Sequence, residues 1–131
     1  MRSVLRGLVV TVLAVTTSLS SYGGPASAHA QLLTSTPRVS STVYVAPKVV
    51  TLTFDDDLLA LESGNQIEVR DPKKRLVSLA DSRVVGPTLS ASLGKLTTYG
   101  KYSVAYHVIS ADGHPVTSTF FFYFMKKTKK N

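Results

Sequence analysis

Gly100-Lys101-Tyr102-Ser103-Val104-Ala105-Tyr106-His107-Val108-Ile109 alternates its large apolar side chains with small or polar ones. Tyr102, Val104, Tyr106 and Val108 share one side, and Ala105, His107 and Ile109 share the other. Successive side chains of a strand point to opposite faces, so this period of two predicts a long half-buried strand over Tyr102 to Ile109 with the tyrosine–valine set inward. Val116 to Met125, which contains five consecutive aromatics from Phe120 to Phe124, predicts a closing strand. His107 reads as a packed or surface strand histidine and stays outside any site. Ser110-Ala111-Asp112-Gly113-His114-Pro115 lies between the two strands.

Working outward, Lys48 to Phe54 places Val50, Leu52 and Phe54 on one face and Val49, Thr51 and Thr53 on the other. Asp55, Asp56 and Asp57 end that strand. Ser63-Gly64-Asn65 is a turn, followed by alternation over Gln66 to Arg70, a second turn at Asp71-Pro72-Lys73-Lys74, and apolar positions at Leu76, Val77 and Leu79. Short strands are expected around Val84 and over Leu89 to Leu93. Only Leu58 to Leu61 looks locally helical. Short β-branched and aromatic segments between Gly, Pro and Asp turns predict an all-β, antiparallel sandwich or barrel.

The chain has 131 residues, a formal charge of +7 and no cysteine. That length predicts one domain. The missing cysteine excludes disulfides, zinc fingers, thiolate nucleophiles and iron–sulfur clusters, so any metal must be held by nitrogen and oxygen or by a Met sulfur. Arg2 and Arg6, an apolar run from Leu8 to Val15, and the small-residue stretch Ala26-Ser27-Ala28 read as a secretory signal cleaved before His29. The apolar run is short of the roughly 20 residues a membrane span needs. Removing residues 1–28 with their two arginines leaves, from 131 residues at +7, a domain of 103 residues at +5. The expected division is a signal over 1–28, a β-sandwich over 29–125 and a Lys-rich tail over 126–131.

Cleavage before His29 would put an α-amine and an imidazole on one residue. Free amines titrate near 7.7–8.0 and imidazoles near 6.5, so both nitrogens become available to one metal near neutral pH. Two such nitrogens hold half of a tetragonal Cu(II) or Ni(II) site. Asp112 and His114, two positions apart in an extended segment, project to the same side and offer a carboxylate and a second imidazole. Either feature alone is explained as readily by a solvated terminus or a plain turn; together they point to a metal.

His29-Ala30-x-Leu-x-x-Ser35-x-Pro37 after a signal, Leu52-x-Phe54-x-Asp56, Gly100-x-Tyr102-x-Val104-x-Tyr106, Ser110-x-Asp112-Gly113-His114-Pro115 and the Phe-rich last strand resemble the CopC-like copper resistance proteins. The resemblance covers essentially all of residues 29–125. It implies a Greek-key sandwich, cupredoxin-like or immunoglobulin-like, outside the cytoplasm, either in a periplasm or at the cell surface. It implies Cu(II) held by His29, through amine and ring, with Asp112 and His114, and Asp56 as an auxiliary neighbour that Asp55 or Asp57 could replace. It implies delivery to a CopD-like integral-membrane transporter, without enzymatic activity. Departures from the pattern are Tyr106 where Trp is frequent, Ser118 or Thr119 where Gly is frequent, and a single methionine, Met125, beyond the initiator, too few for a thioether site.

Two other readings remain beside that one. An oxidative copper enzyme also uses an N-terminal histidine, but here Asp112 would fill the position that oxygen chemistry needs open, and there is no Trp to form a flat sugar-binding face. A metal-free immunoglobulin-like interaction domain would make His29 and the Asp112-Gly113-His114 turn coincidental. Lys126, Lys127, Lys129 and Lys130 read first as a solubilising tail and second as weak attraction to anionic lipid. No strand interleaves aromatics with Lys or Arg in the way a stacking platform would require, so nucleic acid is not expected as a partner, and a monomer is.

Overall fold

A computed structural model describes residues 29–129. Residues 1–28, the expected signal, and the last two residues lie outside that range. Among the described residues, eight strands form two four-stranded sheets. In chain order they are β1 (Leu32–Thr36), β2 (Thr42–Val43), β3 (Val49–Phe54), β4 (Gln66–Arg70), β5 (Arg83–Val85), β6 (Thr88–Ser92), β7 (Gly100–Ile109) and β8 (Pro115–Phe124). One sheet runs β1-β3-β6-β5 and the other β2-β8-β7-β4. The order is that of an immunoglobulin-type sandwich, with β2 added at the β8 edge.

The inward sets are the ones the alternation predicts. Val50, Leu52 and Phe54 of β3 meet Tyr102, Val104, Tyr106 and Val108 of β7 in a single buried core. The five-aromatic run divides by the same period: Phe120, Phe122 and Phe124 are buried, whereas Phe121 and Tyr123 face outward. Phe54 meets Tyr106 edge-on at 5.5 Å, and Tyr102 stacks on Phe122 at 5.3 Å. Aromatic pairs at such spacings add about 0.5–1.5 kcal/mol beyond the area they bury.

Several expectations are corrected. The sandwich is all-β and antiparallel as expected, except at one edge, where β2 pairs with β8 in parallel. Residues 58–61 form no helix: Leu58 bridges to Ser110, and the Leu59 amide donates to the Ile109 carbonyl at 2.9 Å. Leu76 to Leu79 contributes only isolated bridges, Arg70 with Leu76 and Ser78 with Leu93. β1 and β2 are additions.

Tyr102 does more than fill the core. Its hydroxyl donates to the Thr98 carbonyl four residues upstream at 2.6 Å, a tyrosine corner that fixes the entry of β7. Gly100, beside it, has φ +136°, and a Cβ there would come within 2.9 Å of the Pro72 ring. Only glycine meets both conditions.

Candidate metal centre

The β7–β8 hairpin turns at residues 110–114, and this turn builds the site. Ser110 is fully buried. Its amide donates to the His114 carbonyl at 2.9 Å, and the Gly113 amide donates back to the Ser110 carbonyl at 2.8 Å. Gly113 takes φ +87°, a conformation that L side chains rarely adopt, and this lets the chain reverse between Asp112 and His114. The Ser110 hydroxyl shares its proton between Asp112 Oδ1 and the His114 carbonyl, the latter 3.0 Å away. The His114 amide adds a 3.2 Å bond to the same Oδ1. One carboxylate oxygen is thus held by the turn while the other, Oδ2, faces outward.

Asp112 Oδ2 lies 2.8 Å from His114 Nδ1 and 4.0 Å from His29 Nδ1. The two imidazoles meet edge-on with centroids 4.9 Å apart. One donor atom from each of His29, Asp112 and His114 lies within 4.8 Å of the others, a spread that one small cation can span by drawing them in. All three residues are exposed, so the donors are open to an incoming ion. The carboxylate is kept ionised: the Ser110 hydroxyl lowers its pKa to about 2, against the opposing effect of partial burial, with help from the His114 amide and ring.

His29 is brought to this turn from the far end of the sequence. Ala30, next to it, is buried in the core. Gln31 is bonded twice to Asp55: its amide donates to the Asp55 carboxylate at 2.7 Å, and its carbonyl accepts from the Asp55 amide at 2.9 Å. Three residues further on, Leu58 bridges to Ser110. The segment after β3 therefore ties both halves of the site to one piece of backbone. Asp55 was expected only as a stand-in for Asp56. Its carboxylate instead positions the His29 segment.

Asp56 is not among the donors that converge, and its carboxylate accepts from the Asp57 amide at 2.8 Å. His107 stays out of the cluster, with Nδ1 2.8 Å from the Gly64 carbonyl. Asn65, buried beside it, ties Leu59 to Ile109: its side-chain amide donates to the Leu59 carbonyl at 2.6 Å and its oxygen accepts from the Ile109 amide at 3.0 Å. Sequence reasoning missed Asn65 and the bridge at Ser110, because Asn65 reaches Ile109 across 44 residues and Leu58 reaches Ser110 across a still longer stretch, and no local spacing encodes such pairs.

Known proteins resemble this chain in both sequence and fold. A family model described as the CopC domain matches residues 32–124. The chain is 30% identical over 123 residues to the Copper resistance protein C of Xanthomonas campestris pv. juglandis, an alignment covering 89% of this chain and 94% of that one. The crystal structure of CopC from Methylosinus trichosporium OB3b superposes with a TM-score of 0.63 at 23% identity, covering 79% of this chain and all of that one. PcoC from Escherichia coli, described as a methionine-rich copper resistance protein, gives a TM-score of 0.61 at 20% identity, covering 74% of this chain and 99% of that one.

Proposed function

This chain belongs to the CopC domain family, and on that premise we propose that it is a copper-resistance protein that binds one Cu(II) outside the cytoplasm and carries or sequesters it. The observation behind the reading is the convergence of His29, Asp112 and His114 donors within 4.8 Å. Cleavage of residues 1–28 adds the His29 amine to that set. Nitrogen and carboxylate ligands are the set Cu(II) prefers. Copper is cargo here, and the chemistry is ligand exchange. Asp112, already beside both rings, fills the coordination space an oxygen-activating enzyme would keep open, which favours a carrier over an oxidase. A monomer suffices, since one chain supplies every donor. A CopD-like integral-membrane protein is the receiving partner we propose.

Imidazole and amine must lose protons to bind metal, so affinity falls as pH drops from about 8 through the ordinary imidazole range. Asp112, ionised down to about pH 2, contributes nothing to that loss. The test is electron paramagnetic resonance of the exported protein with one equivalent of Cu(II), after mass spectrometry has located its N-terminus. A nitrogen-coordinated tetragonal spectrum that changes in His114→Ala is expected. A spectrum equal to that of aqueous copper would end the reading.

A further inference from the structure

At the end of the β7–β8 hairpin opposite the metal centre, the outer face of the β2-β8-β7-β4 sheet is both aromatic and basic. Phe121, Tyr123 and Met125 project outward and are 39%, 37% and 43% exposed, and Tyr44, just past β2, is 56% exposed. Lys101 pairs with Tyr123 across the strands, and its Nζ sits 3.9 Å above the Phe121 ring. Lys126, Lys127 and Lys129 follow directly and are exposed, and Lys130 is next in sequence. Every Asp and Glu of the chain lies outside residues 42–45, 100–109 and 115–131. The acid on this sheet, Glu68 of β4, is paired with Arg70 at 3.2 Å. Across β7 and β8 one lysine, Lys101, thus stands against two outward rings, Phe121 and Tyr123.

Exposed aromatic rings beside cations match the chemistry of a bilayer's headgroup layer, where rings with apolar bodies settle and lysines meet lipid phosphates. We propose that this face docks on an anionic lipid bilayer. Charge complementarity selects that occupant, and the rings distinguish it from a dissolved polyanion, which would engage the lysines without taking Phe121 and Tyr123 out of water. The metal centre sits at the other end of a hairpin whose strands rise about 3.3 Å per residue, hence roughly 30 Å away. A protein docked in this way holds His29, Asp112 and His114 away from the bilayer, open to copper from solution. Passing copper to a membrane partner would then require it to turn or leave the surface.

The experiment is co-sedimentation of the exported protein with vesicles of phosphatidylglycerol mixed with phosphatidylcholine, against phosphatidylcholine alone, at about 0.1 M salt. Binding to the anionic vesicles and little to the neutral ones is expected. Neutralising one lysine should weaken it about fivefold, the ratio given by about 1 kcal/mol, and the quadruple Lys126, Lys127, Lys129 and Lys130→Gln variant by a hundredfold or more. For the rings, Phe121→Trp should shift its emission to the blue on the anionic vesicles and be quenched by brominated lipid, whereas Thr117→Trp, exposed near the opposite end of β8, should do neither. Equal binding to both vesicle types would overturn the proposal. So would an unshifted Phe121→Trp, or an oligothymidylate that displaces the protein from the vesicles. His114→Ala should bind vesicles as wild type does, so failure of the membrane proposal and failure of the copper reading are read separately.

Discussion

The two ends of the β7–β8 hairpin are made from the same pair of strands by opposite means. At the Tyr102 end, stability comes from burial: Tyr102 and Phe122 are fully buried and stacked, and the corner hydroxyl satisfies Thr98. At the Ser110 end, His29, Asp112 and His114 are exposed and are held by a net of backbone and hydroxyl bonds. The packed end sets the fold, and the open end can keep polar donors accessible because the fold does not depend on them. Stability and metal affinity should therefore be separable by mutation, one at each end.

The largest effect expected is at the packed end. Phe122→Ala should cost about 3–5 kcal/mol of unfolding free energy, a large share of the 5–15 kcal/mol typical of a domain, measured by urea denaturation of the metal-free protein. A loss below about 1 kcal/mol would mean that the core does not rest on this ring. At the open end the outcome should reverse. His29→Ala or His114→Ala should weaken Cu(II) by at least a hundredfold in a competition titration, more than the 10–100-fold typical of changes behind a ligand, while metal-free stability moves by no more than about 0.5 kcal/mol. If either variant unfolds the protein, the division between the two ends fails.

An intermediate case sharpens the comparison. Asp55 touches neither core nor donors but holds Gln31, two residues from His29. Asp55→Ala should lower Cu(II) affinity about 10–100-fold with the ligands intact, whereas Asp56→Ala, whose carboxylate is bonded only to its neighbour's amide, should change it little. If Asp56→Ala weakens copper as much as Asp55→Ala, Asp56 is a ligand after all. At the packed end, Tyr102→Phe removes the corner bond and should cost about 1–2 kcal/mol without altering copper binding.

The contrast also explains what was legible in the sequence. β3, β7 and β8 follow from alternation because each has one face in the core and one outside. β1 shows no such alternation, with Leu33 exposed and Ser35 buried, and β2 is two residues long, too short to carry a period. The candidate donors were legible because they sit in two short motifs, one at the expected cleavage site and one in a turn. What positions them was not, because Asp55 reaches Gln31 across 24 residues and Leu58 reaches Ser110 across the sandwich, contacts that only the closed fold creates.

The smallest effect expected concerns acid, and its sign separates the two ends once more. Asp112 is lowered from an ordinary 3.8 to about 2, chiefly by the Ser110 hydroxyl. A carboxylate whose pKa is lower folded than unfolded adds stability that is complete above the unfolded value and is lost as pH falls through the folded one. The window is therefore about pH 4 down to about pH 2. Asp112→Asn should be less stable than wild type at neutral pH, by a small amount because the group is exposed, and the difference should close across that window. Ser110→Ala removes the main cause, so the Asp112 carboxyl, followed by NMR, should titrate closer to the ordinary value. If Ser110→Ala leaves that titration near 2, the turn's hydroxyl is not what prepares the carboxylate, and the opposing histidine rings must hold it instead.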